Sequence, residues 1–167
     1  QWVRSAALDG AAVDFRVGTR SQWRLNVSSP VGVDRPDLRV EIKNSSERAY
    51  LFPTIGAGWL TLERADGQKL KSSIRARAQR RIDWVLVPAG ESYTALCEVE
   101  VKCLADGKTR QLTYTTADGT MFTFEPMSAG KYKLQFRYEM PNSQTIGDHS
   151  TWVGNVTTEP VEFEIAE

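Results

Sequence analysis

The sequence predicts an all-β fold, an antiparallel β-sandwich in a single domain. Three observations carry this prediction. Apolar and polar residues alternate with a period of two along most of the chain, as in strands with one face in a core and one in water. Turn signals separate these runs: Asp-Gly occurs at Asp9-Gly10, Asp66-Gly67, Asp106-Gly107 and Asp118-Gly119. Both residue types tolerate the positive φ of tight hairpins. No convincing stretch places apolar residues at i, i+3, i+4 and i+7, the mark of an amphipathic helix. Many short strands at this spacing favour a sandwich over an α/β fold.

Taken in order, residues 1–12 are expected to form an N-terminal strap or frayed segment, and residues 13–167 the sandwich. Val13, Phe15 and Val17 alternate with Asp14 and Arg16, and Leu38, Val40 and Ile42 with Arg39, Glu41 and Lys43. Leu60-Thr61-Leu62-Glu63 runs into the Asp66-Gly67 turn. Residues 72–80 are the best helix-like candidate, yet Ile74, Ala76 and Ala78 alternate there with Arg75 and Arg77. Residues 82–87 become apolar on both faces, as a central strand would. Pro88-Ala89-Gly90 and Ser128-Ala129-Gly130 mark further turns. Tyr132, Leu134, Phe136, Tyr138 and Met140 share one face of a long strand, and Val161, Phe163 and Ile165 one face of the last. Residues 141–151 are the longest expected loop.

The two cysteines lie inside one alternating run, Ala95 to Cys103, in which Cys97, Val99, Val101 and Cys103 share a face. Six residues of strand span roughly 20 Å at ~3.3 Å each, whereas a disulfide needs Cα atoms within ~7 Å. Two buried, unpaired thiols packed as small apolar groups are therefore expected. A bridge would need a break in the strand. The spacing is not C-x-x-C, which argues against a metal or redox pair.

Composition narrows the function. The chain has 167 residues, with 21 Lys and Arg against 21 Asp and Glu. Zero net charge argues against a nucleic-acid binder, which carries a basic excess. With 41% hydrophobic and 25% charged residues the chain is globular rather than disordered. No run approaches the ~18 apolar residues of a membrane helix. The chain opens on Gln1-Trp2-Val3, as a processed secretory product, a trimmed chain or an excised domain would.

The order of signals resembles a known architecture. A strand ends in a polar turn at Leu38 to Ser46. A second runs from Leu60 to Asp66-Gly67. Leu86-Val87-Pro88-Ala89-Gly90-Glu91-Ser92 and Ser128-Ala129-Gly130-Lys131-Tyr132-Lys133-Leu134 follow, and Trp152 to Val161 closes the series. Across residues 38–165 this is similar to immunoglobulin-like sandwiches of bacterial proteins, including the intracellular proteinase inhibitor family. The matching residues are turn and core positions, and a shared fold does not transfer an activity. No reactive-loop motif is present, so no inhibitory residue is assigned.

Catalytic constellations are weak. The single histidine, His149, sits in Gly147-Asp148-His149-Ser150, but a triad is defined by spatial geometry rather than adjacency. One His without a carboxylate cluster is too few ligands for zinc, and no N-terminal His is present for a copper brace. Glu98/Glu100 and Glu162/Glu164 fall on expected wet strand faces, where charge guards edges, rather than in a glycosidase pair. The Asp-Gly turns lack the EF-hand ladder. Three Asn-x-Ser/Thr sequons, at Asn26, Asn44 and Asn155, are taken as chance.

Two groups of residues could bind. Arg75, Arg77, Arg80 and Arg81 form the local basic cluster. In a regular strand Arg75, Arg77 and Arg81 share a face and Arg80 opposes them. Such arginines ordinarily pair with surface acids; otherwise their guanidinium forks suit an anion or an acidic partner. Among the tryptophans, Trp23 and Trp84 read as core and Trp2 lies near the end. Trp59 follows Gly56-Ala57-Gly58 and Trp152 follows the long loop. Either could stack on sugar rings or form a protein hot spot, or pack against a sheet end.

The expectation is an immunoglobulin-like sandwich of about nine to twelve strands, without catalysis or cofactor. Its expected role is an interaction module of a bacterial extracytoplasmic protein, periplasmic or secreted, binding through loops at one end. The candidate binding residues are Trp59, Trp152, Arg75, Arg77 and Arg81, and the partner a protein or a polysaccharide. A proteinase inhibitor would present a rigid loop at residues 141–152 or 53–59. A carbohydrate-binding module would expose Trp59 and Trp152 as coplanar rings.

Overall fold

The structure, a computed structural model, describes residues 2–7, 13–19, 24–25, 33–34, 38–54 and 59–165, the first four stretches as strand paths only. In chain order the strands are β1 (Trp2–Ala7), β2 (Val13–Thr19), β3 (Arg24–Leu25), β4 (Val33–Asp34), β5 (Leu38–Asn44), β6 (Tyr50–Pro53) and β7 (Trp59–Arg64). Then come β8 (Lys69–Leu70), β9 (Ser72–Arg77), β10 (Trp84–Val87), β11 (Ser92–Cys97), β12 (Val99–Cys103) and β13 (Arg110–Thr115). The last are β14 (Thr120–Met127), β15 (Gly130–Met140), β16 (Thr145–Ile146), β17 (His149–Ser150), β18 (Gly154–Thr158) and β19 (Val161–Ile165). The described residues contain no helix, so the fold is all-β.

Two large sheets dominate. The first runs β11-β5-β2-β1-β18-β15-β19-β3, with β7 also paired to β15 and β8 paired to β7. The second runs β4-β12-β13-β14-β9. Neither sheet is closed, and the pairing is antiparallel except for β19 with β3 and an isolated Leu51–Thr151 bridge. The segment expected as an N-terminal strap contains β1, which pairs with β2 and β18. Residues 8–12, Trp23 and the Asn26 sequon lie outside the described residues.

The inner faces of both sheets meet in one core. Leu38, Val40 and Ile42 of β5 join Leu60, Leu62, Leu134, Phe136 and Tyr138 from the first sheet. Val99, Val101, Leu112, Tyr114, Phe122 and Phe124 come from the second. This shared burial makes the fold sandwich-like. In β5 and β15 the alternation seen in the sequence is the alternation of burial.

The long strand β15 pairs along one side with β7, and along the other with β19 near its start and β18 near its end. Between those two partners Thr158 fills the gap in the ladder. Its hydroxyl accepts a bond from the Phe136 amide at 3.1 Å, and its carbonyl accepts one from Gln135 Nε2 at 3.2 Å. Pro160, which lacks an N–H, follows two residues later, where the chain turns into β19.

Several local expectations are corrected. The run from Ala95 to Cys103 is not one strand: it breaks at Glu98, ending β11 in the first sheet and starting β12 in the second. Both thiols are nevertheless unbridged; Cys97 is buried and Cys103 half-buried. Residues 82–87 do not make a central strand: among the described residues β10 pairs only with β6, and Trp84 is half-buried rather than core. Residues 72–77 are an edge strand with every residue exposed. The 141–151 loop contains the two-residue hairpin arms β16 and β17.

Candidate functional site

The candidate site is a cleft beside β9, the last strand of the five-stranded sheet among the described residues. Its geometry starts from a strand irregularity. Along β9 and β14, Phe124 faces Ser72, Thr123 faces Ser73 and Phe122 faces Ile74, but Met121 faces Ala76, so Arg75 is an extra residue. An extra residue of this kind is a β-bulge, and beyond it the side chains change face. Arg75 therefore turns to the outer face, into a groove of about 570 Å³ with Leu96, Glu98, Glu100, Lys102 and Gln111. Arg77 turns the other way, into a cleft of about 540 Å³ with Trp59, Ile74, Arg80, Phe122 and Glu139. The expectation that Arg75, Arg77 and Arg81 share a face is thus overturned by one bulge. Arg80, expected to oppose them, lines the cleft with Arg77, whereas Arg81 is not among its lining residues.

The floor of the cleft is apolar. Trp59 opens β7 and lies edge-on to Phe122, with ring centroids 5.0 Å apart and planes at 71°. That T-shaped contact is a favoured aromatic geometry and holds the indole in place. Phe122 is buried, yet Trp59 is 48% exposed and Ile74 49%. Ala78, Ile82 and Ala117 extend the apolar lining.

One wall is the turn at Asp118-Gly119. Asp118 Oδ1 accepts bonds from the Thr116 hydroxyl at 2.6 Å and the Thr120 amide at 3.0 Å, and Oδ2 accepts one from the Thr120 hydroxyl. These bonds, the Thr116 hydroxyl first, hold the Asp118 carboxyl below the usual carboxylate range. Past the end of β9 the chain stays latched to this turn, with the Ala78 amide donating to the Gly119 carbonyl and the Arg80 amide to that of Asp118. Gly119 permits the latch: its φ is +82°, and a Cβ there would strike the Ala78 carbonyl oxygen.

The cleft is lined by two arginines, Arg77 and Arg80, and two acids, Asp118 and Glu139. Glu139 is engaged by Arg137 at 3.0 Å, and Asp118 by its own turn. Among the described residues Arg75, Arg77, Arg80 and Arg81 form no ion pair. Among the described residues, then, these arginines are not paired with surface acids.

Trp152 does not join Trp59. It is 2% exposed and packs on Phe52 and Tyr138, with centroids 6.2 and 5.4 Å away. A ring so enclosed has no face to offer a sugar, so the paired exposed rings of a carbohydrate site are absent at these two positions. His149 is exposed, in the short arm β17. Among the described residues no cluster of three or more His, Cys, Asp or Glu side chains could hold a metal ion.

The structure brings the sequence candidates Trp59 and Arg77 into one cleft, together with Ile74, Phe122 and Glu139, which the sequence does not single out as their neighbours. The Asp118-Gly119 turn was legible as a turn, but not as the wall of a cleft. In comparisons with known proteins, no family model, no curated protein and no solved structure matches this chain.

Proposed function

We propose that this chain is a non-catalytic interaction module on an immunoglobulin-like sandwich, belonging to a bacterial protein that works outside the cytoplasm. Its partner is a protein, taken at the cleft beside β9. The observation that carries this reading is Trp59. It is half exposed, held edge-on by Phe122, flanked by exposed Ile74, and faced by two arginines without an ion pair. Tryptophan and arginine are the residue types that dominate binding hot spots. Apolar surface gathered in a concavity marks a site more strongly than the same residues scattered singly. The bacterial and extracytoplasmic setting and the immunoglobulin-like topology rest on the resemblance across residues 38–165.

The test is selection of a random peptide library on the immobilised chain, with each enriched peptide rebound to the Trp59→Ala variant. Peptides that bind in the micromolar range and lose about tenfold or more in affinity on Trp59→Ala support the reading. No enrichment, or binding indifferent to the substitution, sinks it. Protection of Trp59 fluorescence by a soluble polysaccharide, or inhibition of a protease, would replace it with one of the rival functions.

A further inference from the structure

Among the described residues strand β9 ends its sheet, pairing only with β14, and all six of its residues are exposed. In an antiparallel edge strand about half of the backbone N–H and C=O groups point away from the neighbour. A partner covering that edge must supply matching donors and acceptors, because a peptide group buried without a partner loses its hydrogen bonds to water and gains none in return. An extended polypeptide supplies them in register; a helix, whose backbone groups are internally bonded, does not.

The charge around the edge selects the kind of polypeptide. Between Asp66 and Asp83 the chain carries Lys69, Lys71, Arg75, Arg77, Arg80 and Arg81 and no acidic residue. The bulge places Arg75 toward one face of the sheet and Arg77 toward the other. Of the acids that line the two clefts, Glu100 is held by Lys102, Glu139 by Arg137 and Asp118 by its own turn, so carboxylates on either face of an added strand would meet a guanidinium, with Glu98 the one neighbouring acid that opposes them. A second copy of β9 would bring its own cations against these, which disfavours self-pairing. The apolar floor at Trp59 and Ile74 adjoins the same edge.

We propose that the partner of this site is an acidic, extended polypeptide segment that adds as a sixth strand to β9. Its carboxylates lie against Arg75, Arg77 and Arg80, and one apolar side chain lies against Trp59 and Ile74. The proposal rests on the protein-binding reading of the cleft and specifies its partner.

The experiment uses the whole chain and three labelled probes followed by fluorescence anisotropy. One is the blocked octapeptide Glu-Glu-Val-Glu-Glu-Thr-Glu-Glu, which in a strand carries Glu on both faces and one Val among them; the second has Lys in place of Glu; the third is the acidic peptide N-methylated at alternate residues. The acidic peptide should bind about tenfold or more tighter than the lysine peptide. Its affinity should fall as salt is raised from about 0.05 to 0.3 M, where screening shortens from roughly 14 to 6 Å. N-methylation and the Arg77→Glu/Arg80→Glu variant should each cost about tenfold or more, and binding should slow amide exchange in residues 72–77.

Equal affinity for the acidic and lysine peptides, or an N-methylated peptide that binds as well as its parent, would overturn the proposal. So would tighter binding of a single-stranded oligonucleotide run as a fourth probe. If library peptides still depend on Trp59 in those cases, the cleft reading survives without the added strand. If the acidic peptide binds undiminished to Trp59→Ala, the cleft reading fails.

Discussion

Asn44 shows how much one polar side chain organises in this protein. It is wholly buried at the end of β5. Its Nδ2 donates to the carbonyls of Arg48 at 2.7 Å and Val87 at 2.9 Å, and its Oδ1 accepts from the amide and hydroxyl of Ser46. The sequence offers Asn44 as the start of a sequon and of the polar turn that ends a strand. The structure makes it the bolt between that turn and β10, because a buried amide must find partners or lose them at a cost. Asn44→Ala strands the Val87 carbonyl and should lower stability by about 1–3 kcal/mol, read as a denaturant midpoint shift with unchanged slope. The two thiols should differ as sharply. Burial pushes the Cys97 thiol up to about 12, so near pH 8 it stays protonated as well as shielded. Cys103 is half-buried and accepts a bond from Arg110 Nη1 at 2.9 Å. Alkylation of the folded protein followed by peptide mapping should mark Cys103 and spare Cys97 until denaturant is added; equal labelling would contradict the packing.

At the scale of elements, the cleft depends on a latch between β9 and the Asp118-Gly119 turn. Gly119 and Gly67 both have positive φ, at +82° and +87°, but only Gly119 has backbone in the way of a Cβ. Gly67→Ala should cost the strain of a left-handed alanine alone, about 1 kcal/mol. Gly119→Ala should cost more, about 2–3 kcal/mol, because residues 78–80 must also shift. Paired thermal melts check the ranking, and equal shifts would show that the latch carries no load. Such a shift should also weaken peptide binding at Trp59, since Arg80 is positioned by the same latch. The turn itself was readable, because Asp and Gly are the residues a tight reversal demands. The bulge at Arg75 was not. Nothing in Ser72-Ser73-Ile74-Arg75-Ala76-Arg77 distinguishes a regular strand from one with an extra residue; the register is a property of the pairing with β14.

Across the whole molecule, a single core joins sheets that the chain enters and leaves several times. Trp152 shows the coupling: its ring packs on Phe52 and Tyr138, its amide donates to the Leu51 carbonyl at 3.3 Å, and Gly154 has no Cβ to strike it. It thus ties the small β6–β10 sheet and the end of the 141–151 loop to the large sheet. Trp152→Ala should destabilise the entire fold by about 3–5 kcal/mol, with tryptophan fluorescence and far-ultraviolet dichroism melting together. Loss of the β16–β17 hairpin alone, with the main transition unmoved, would show that the loop is docked independently.

The sequence by itself determined the all-β class, most of the strands, and the inward residues of β5, β15 and β19. These follow from a period of two, which is local and survives any arrangement of the sheets. It also determined the turns, whose residues answer to local backbone geometry. Only the tertiary structure decided that the Ala95–Cys103 run changes sheets at Glu98. Cys97 and Val99 both stay buried across the break, because a chain passing between two sheets keeps its inner face toward the core they share. Likewise only the tertiary structure separated Trp59 from Trp152 and Arg75 from Arg77. Exposure of a tryptophan and the facing of an arginine are set by what packs beside them, and those neighbours lie tens of residues away in the chain.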